Sequence, residues 1–76
     1  MPTILRVSNL RFVVYPNDHS PAHVHVIGSG WVVVVNLVGP KVREAVGCTE
    51  ADARRVLALV AAHRDALMEA WRRFHG

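Results

Sequence analysis

Residues 16–37 read PNDHSPAHVHVIGSGWVVVVNL, and this stretch decides the fold. Pro16 and Pro21 bracket Asn17, Asp18, His19 and Ser20, which are turn formers, so an ordered loop is predicted over 16–21. A strand follows over 23–27, with His23 and His25 on one face and Val24 and Val26 on the other. Gly28-Ser29-Gly30 turns the chain, and a further strand is predicted over 31–37. Its four consecutive valines do not alternate with polar residues, which implies cover on both faces. A helix can cover one face. A partner protein is a candidate for the other.

Working outward, branched apolar residues predict a strand over 3–7, and Ser8-Asn9 suits a two-residue turn. Residues 10–15 alternate, with Leu10, Phe12 and Val14 opposing Arg11, Val13 and Tyr15, so the two segments read as a β-hairpin. Downstream, Gly39-Pro40 breaks the chain. Residues 41–46 read either as a short fifth strand or as a helical turn.

Thr49 opens a helix predicted over 50–74. Thr49 and Asp52 resemble a capping box, with Asp in place of the usual Glu. Glu50 and Asp52 at one end and Arg72 and Arg73 at the other complement the macrodipole. Glu50–Arg54 and Glu69–Arg73 are favourable i, i+4 pairs. Ala53, Val56, Val60, Leu67, Trp71 and Phe74 form one apolar stripe, with Leu57 and His63 at its margins. The expected fold is α+β: a small antiparallel sheet of about four strands packed against one long C-terminal helix, with residues 1–76 as a single domain. That helix would be about 37 Å long, against about 20 Å for a six-residue strand. Unless it bends, Trp71 and Phe74 overhang the sheet and call for a second copy of the chain or another protein.

The chain has 76 residues, 51% of them hydrophobic. A core of this size is only marginally sufficient. Cys48 is alone, so no internal disulfide staples the fold. Residues 1–15 lack the unbroken apolar stretch of a signal peptide, and no run approaches the roughly 20 apolar residues of a membrane span. A cytoplasmic location without membrane contact is therefore expected. Nine Lys and Arg face six acids, giving a net charge of +3. That allows nucleic-acid contact without demanding it. Apart from Arg54-Arg55 and Arg72-Arg73 the bases are scattered, as on a solvated helix face.

Within the deciding stretch, three imidazoles and a carboxylate crowd together: Asp18, His19, His23 and His25. Three chemistries fit. In the structural one, Asp18 and His19 cap the loop while His23 and His25 hydrogen-bond to backbone or partner. In the catalytic one, His23 and His25, helped by His19, act as acid and base, with Arg11 or Lys41 steadying a phosphate, as in a metal-free ribonuclease. In the metallic one, His23 and His25 ligate an ion with Asp18 or His19 as the third ligand. Two strand histidines supply only two ligands, and the Pro21-Ala22 link looks short for folding the loop over the strand. No tightly bound metal and no cofactor is therefore expected. Arg11, Trp31, Trp71 and Phe74, with Asp18, are the candidate binding residues. Trp31 and Trp71 read first as core or interface, His63 as half-buried packing, His75 as solvated and Cys48 as packing.

The opening Met1-Pro2-Thr3-Ile4-Leu5-Arg6, the loop 17–21, the strand His23-Val24-His25-Val26 and the ending His63-Arg64-Asp65-Ala66-Leu67 through Ala70-Trp71 resemble a small bacterial family, domain of unknown function 4160. The resemblance runs nearly end to end. It departs at Ala22, where family members commonly carry a second proline, and it is weakest over 38–48. Members are commonly encoded beside family of unknown function 2442, and the two are regarded as a type II toxin–antitoxin pair. The resemblance thus implies a toxin–antitoxin component that binds a cognate small protein from a neighbouring gene, as a homodimer or a hetero-complex. It attaches no role to His19, His23 or His25. A small ribonuclease toxin using the His23 and His25 strand, with or without the assistance of a metal ion, is the alternative.

Overall fold

Five strands follow one another in the chain: β1 (Thr3–Val7), β2 (Leu10–Val13), β3 (His23–Ile27), β4 (Val32–Asn36) and β5 (Lys41–Val46). The computed structural model describes residues 3–75, so Met1, Pro2 and Gly76 lie outside the described residues. Each strand pairs antiparallel with its predecessor, giving one sheet in the order β1-β2-β3-β4-β5. Two helices complete the chain: α1 (Glu50–Ala62) and α2 (Arg64–His75). The α+β class is as expected, but the sheet has five strands rather than about four, and the single long helix is two.

Residues 41–46 form a strand because they find a ladder on β4, from Val32↔Val46 to Asn36↔Lys41. The register shifts between Val34 and Val35. Val34 pairs with Glu44 and Val35 with Val42, leaving Arg43 as the extra residue of a bulge. The expected strands over 10–15 and 31–37 are shorter, ending at Val13 and running from Val32 to Asn36.

Strand alternation builds the core. Leu10, Phe12, Val14, Val24, Val26, Val33, Val35 and Leu37 pack beneath Val56 and Val60 of α1 and Leu67, Ala70 and Trp71 of α2. Val34 points the other way and is still only 7% exposed. It lies in one cross-strand row with His25 and Val13, which is fully buried. The second face of the valine strand is thus covered at Val34 within the chain itself.

Thr49 caps α1 as predicted. Its Oγ1 accepts from the Asp52 N–H (3.1 Å), and Asp52 Oδ2 accepts from the Thr49 N–H (3.2 Å). His63 ends α1 by donating its N–H to the Leu59 and Val60 carbonyls, and its own carbonyl accepts the Leu67 N–H of α2. No proline or glycine marks this break. Arg64 Nε donates to the Leu37 carbonyl at 2.9 Å, tying the start of α2 to the chain leaving β4. Because the chain bends here, Trp71 does not overhang; it is 6% exposed within the core, whereas Phe74 stays 37% exposed. Among the described residues no helix is long and apolar enough to cross a membrane.

The loop between β3 and β4 depends on Gly28. A Cβ there would run into the Trp31 indole. Gly28→Ala must therefore displace Trp31, and it should lower the melting temperature more than Thr49→Ala, which should cost about 1 kcal/mol as the loss of a helix cap. Thermal unfolding followed by circular dichroism checks both.

Candidate functional site

Strand β3 delivers His23 and His25 to one face, as alternation requires. The third member arrives from the loop. The Asp18 N–H donates to the Tyr15 carbonyl at 3.2 Å, so residues 15–18 close a turn just after β2. This corrects the expectation that the Pro21-Ala22 link is too short: the reversal is made ahead of Asp18, not after Pro21. Asp18 Oδ2 reaches 3.1 Å from His23 Nε2 and 3.6 Å from His25 Nδ1. One donor atom from each of the three residues lies within 4.8 Å of the others.

The proton positions on His23 are constrained. Its Nδ1 lies 2.8 Å from the Pro21 carbonyl oxygen, which can only accept, so Nδ1 carries the hydrogen. In the neutral ring Nε2 is then a bare lone pair facing a carboxylate oxygen. Asp18 Oδ2 and His25 Nδ1 are both buried and have no hydrogen-bond partner among the described residues. The 3.1 Å approach of Asp18 to His23 is therefore close but not aligned as a hydrogen bond. Buried polar atoms left in this way cost about 1–3 kcal/mol each.

Burial pushes the pKa of His25 below its ordinary 6.5; Asp18 and Glu44 oppose that shift, while His23 and Arg43 add to it. Neutral His25 offers an acceptor nitrogen at neutral pH. The arrangement can take up a proton between Asp18 and an imidazole, or it can hold a cation among three lone pairs.

Aromatic packing fixes both rings. Tyr15 meets His25 edge-on at 4.8 Å between centroids, His25 lies 5.4 Å from His23, and His23 lies 5.2 Å from Trp71. Trp71 in turn stacks on His75 at 3.8 Å, and His75 Nδ1 donates to the Trp71 carbonyl at 3.0 Å. The C-terminal helix thus backs the histidine strand, and His75 is not the solvated residue expected.

Of the candidates read from sequence, Asp18, His23 and His25 come together. His19 is exposed and outside the cluster. Arg11 pairs in register with Ile27, one row from His25, and its Nε is buried without a partner. Lys41 is exposed and lies beyond Asn36 from His23. Trp31 is half-buried against Gly28, and Trp71 is buried behind His23. Tyr15 and Arg43 bear on His25 and were not singled out from the sequence. Arg43 sits at the bulge in β5 and its charge acts on His25, and residues 41–46 carry no local signal for that bulge.

A family model described as Domain of unknown function (DUF4160) matches residues 9–72. The chain belongs to that family. No curated protein and no solved structure matches it. The DUF4160 match contains Asp18, His23, His25 and Trp71, so the whole cluster and its backing indole lie inside the shared domain.

In protein held in chelator, the His25 ring should titrate below 6.5, as read by NMR. The unfolded chain then binds more protons than the folded one between the folded pKa and about 6.5. The stability contributed by His25 is full above that window and is lost as pH falls through it. Melting temperature against pH should accordingly fall less steeply in His25→Gln than in the parent chain.

Proposed function

We propose that the chain is a cytoplasmic protein-binding member of a bacterial toxin–antitoxin pair, and that it takes an extended acidic segment of its partner along β5. The observation that carries this reading is the exposed, charged edge at β5, one of the two edges of the sheet, the other being β1. Among the described residues β5 pairs only with β4, and five of its six residues are exposed, Val46 among them. Val38 nearby is 66% exposed. A free edge supplies unpaired backbone groups to which an incoming strand can add. Lys41, Arg43 and Glu44 hinder two copies of this chain from pairing flat against each other. The edge bases and the net charge of +3 favour an acidic partner. This is a different surface from the valine strand and the Trp71–Phe74 stripe that the sequence suggested, of which Val34 and Trp71 are buried in the chain itself and Phe74 is exposed.

A second reading, an RNA-cleaving toxin, is favoured by the convergence of Asp18, His23 and His25. Expression with and without the neighbouring gene separates the two. On the binding reading, expression alone leaves growth unchanged, the neighbouring product co-purifies, and Arg43→Glu or Val46→Glu weakens the complex by about tenfold or more, equivalent to about 1.4 kcal/mol. Growth arrest by the chain alone, relieved in folded His25→Ala, would establish the enzyme reading instead.

A further inference from the structure

We infer that Asp18, His23 and His25 form a site for a divalent transition-metal ion of the zinc class. The inference does not depend on the partner proposed above. Three features of the cluster point to it together.

The first is the orientation of His23. Its Nδ1–H is held by the Pro21 carbonyl at 2.8 Å, which turns the lone pair of Nε2 toward Asp18. Metal-ligating histidines are characteristically fixed this way, one ring nitrogen donating to a carbonyl or carboxylate and the other free for the ion. Trp71 packs behind the ring, so the orientation is set by packing as well.

The second is the spacing. Ligand bonds of about 2.0–2.1 Å place neighbouring donor atoms about 2.9–3.4 Å apart in octahedral or tetrahedral geometry. Asp18 Oδ2 stands 3.1 Å from His23 Nε2 and 3.6 Å from His25 Nδ1, with no pair in the cluster beyond 4.8 Å. These are nearly the edges of a coordination polyhedron, and the third edge closes by a modest movement of His25. A hydrogen bond would have brought Asp18 Oδ2 into line with a ring N–H; instead it has no hydrogen-bond partner among the described residues.

The third is the donor set. Two neutral imidazoles and one carboxylate suit zinc, cobalt, nickel, iron or manganese and suit magnesium or calcium poorly. His23 is 6% exposed at its side chain, but Asp18 and His25 are 25% and 24% exposed. The donor atoms Asp18 Oδ2 and His25 Nδ1 are themselves buried, just beneath the partly exposed surface of their side chains. Three protein ligands leave at least one position for water or a small anion, the pattern of exchangeable sites rather than of sealed structural ones. An ion there would supply the charge that three converging lone pairs lack, with Glu44 assisting and Arg43 opposing, as they do for the charge on His25.

The test uses untagged full-length chain, stripped with chelator and dialysed. Calorimetric titration with zinc chloride at neutral pH should show one ion per chain, and magnesium chloride should show no saturation. Zinc should raise the melting temperature and change tryptophan emission, since Trp71 lies against His23. Cobalt should give the intense visible absorption of a four- or five-coordinate site. Asp18→Asn, nearly isosteric, and His25→Gln should each weaken zinc binding at least about tenfold, given that even outer-shell changes cost about 10–100-fold. Circular dichroism shows that each variant is folded. His19→Ala should bind as the parent does. The inference is overturned if folded parent protein shows no saturable zinc binding, if the stoichiometry is one ion per two chains, or if His19→Ala loses binding while Asp18→Asn keeps it.

Discussion

A straight helix of the length encoded after Thr49 would outrun this sheet. Residues 50–75 as one α-helix would span about 39 Å, against about 20 Å for a six-residue strand. The chain resolves this at His63, which closes α1 and opens α2, with Arg64 bonded to the carbonyl of Leu37. Bending there converts an overhanging apolar stripe into core. Leu67, Ala70 and Trp71 then cover the part of the sheet that α1 leaves bare. Most of what is distinctive about the molecule follows from this bend, because it is what seats the Trp71 indole behind His23.

The site inherits its order from that packing. Trp71 on one side and the Pro21 carbonyl on the other leave His23 little rotational freedom, and Tyr15 does the same for His25. A buried carboxylate oxygen crowded by two ring nitrogens without a hydrogen bond is expensive unless something positive lies among them. A proton shared between Asp18 and His23 or a metal ion can supply that charge. A purely structural cluster would be expected to end in hydrogen bonds, and Asp18 Oδ2 and His25 Nδ1 end in none.

The two sheet faces and the sheet edge divide the remaining roles. One face is sealed by the helices. The other carries the row Val13, His25, Val34 and Glu44, apolar where it is buried and titratable where it opens. The free edge of β5, with its charges and exposed Val46, lies two strands from β3. A partner strand added at that edge would leave the histidine row uncovered. The proposed edge and the site share Arg43 and Glu44 of β5, which act on the charge of His25.

Local sequence determined the strands on 3–7 and 23–27, the Thr49 cap, and the shared face of His23 and His25, while 41–46 stayed open between strand and helical turn until its ladder on β4 decided it. Each of the determined features rests on alternation or capping within a few residues, and so needs no knowledge of the rest of the chain. The family resemblance, read from loop, strand and helix motifs, was likewise legible and is matched over 9–72. Tertiary structure alone decided the helix break, the turn that carries Asp18 over β3, the burial of Val34 and Trp71, and the bulge that brings Arg43 near His25. None of these leaves a local mark. The break lacks proline or glycine, and its anchor, Arg64 to Leu37, joins residues 27 positions apart. Whether three donors converge depends on how distant segments close against one another, and a pattern of residue types along the chain does not contain that distance.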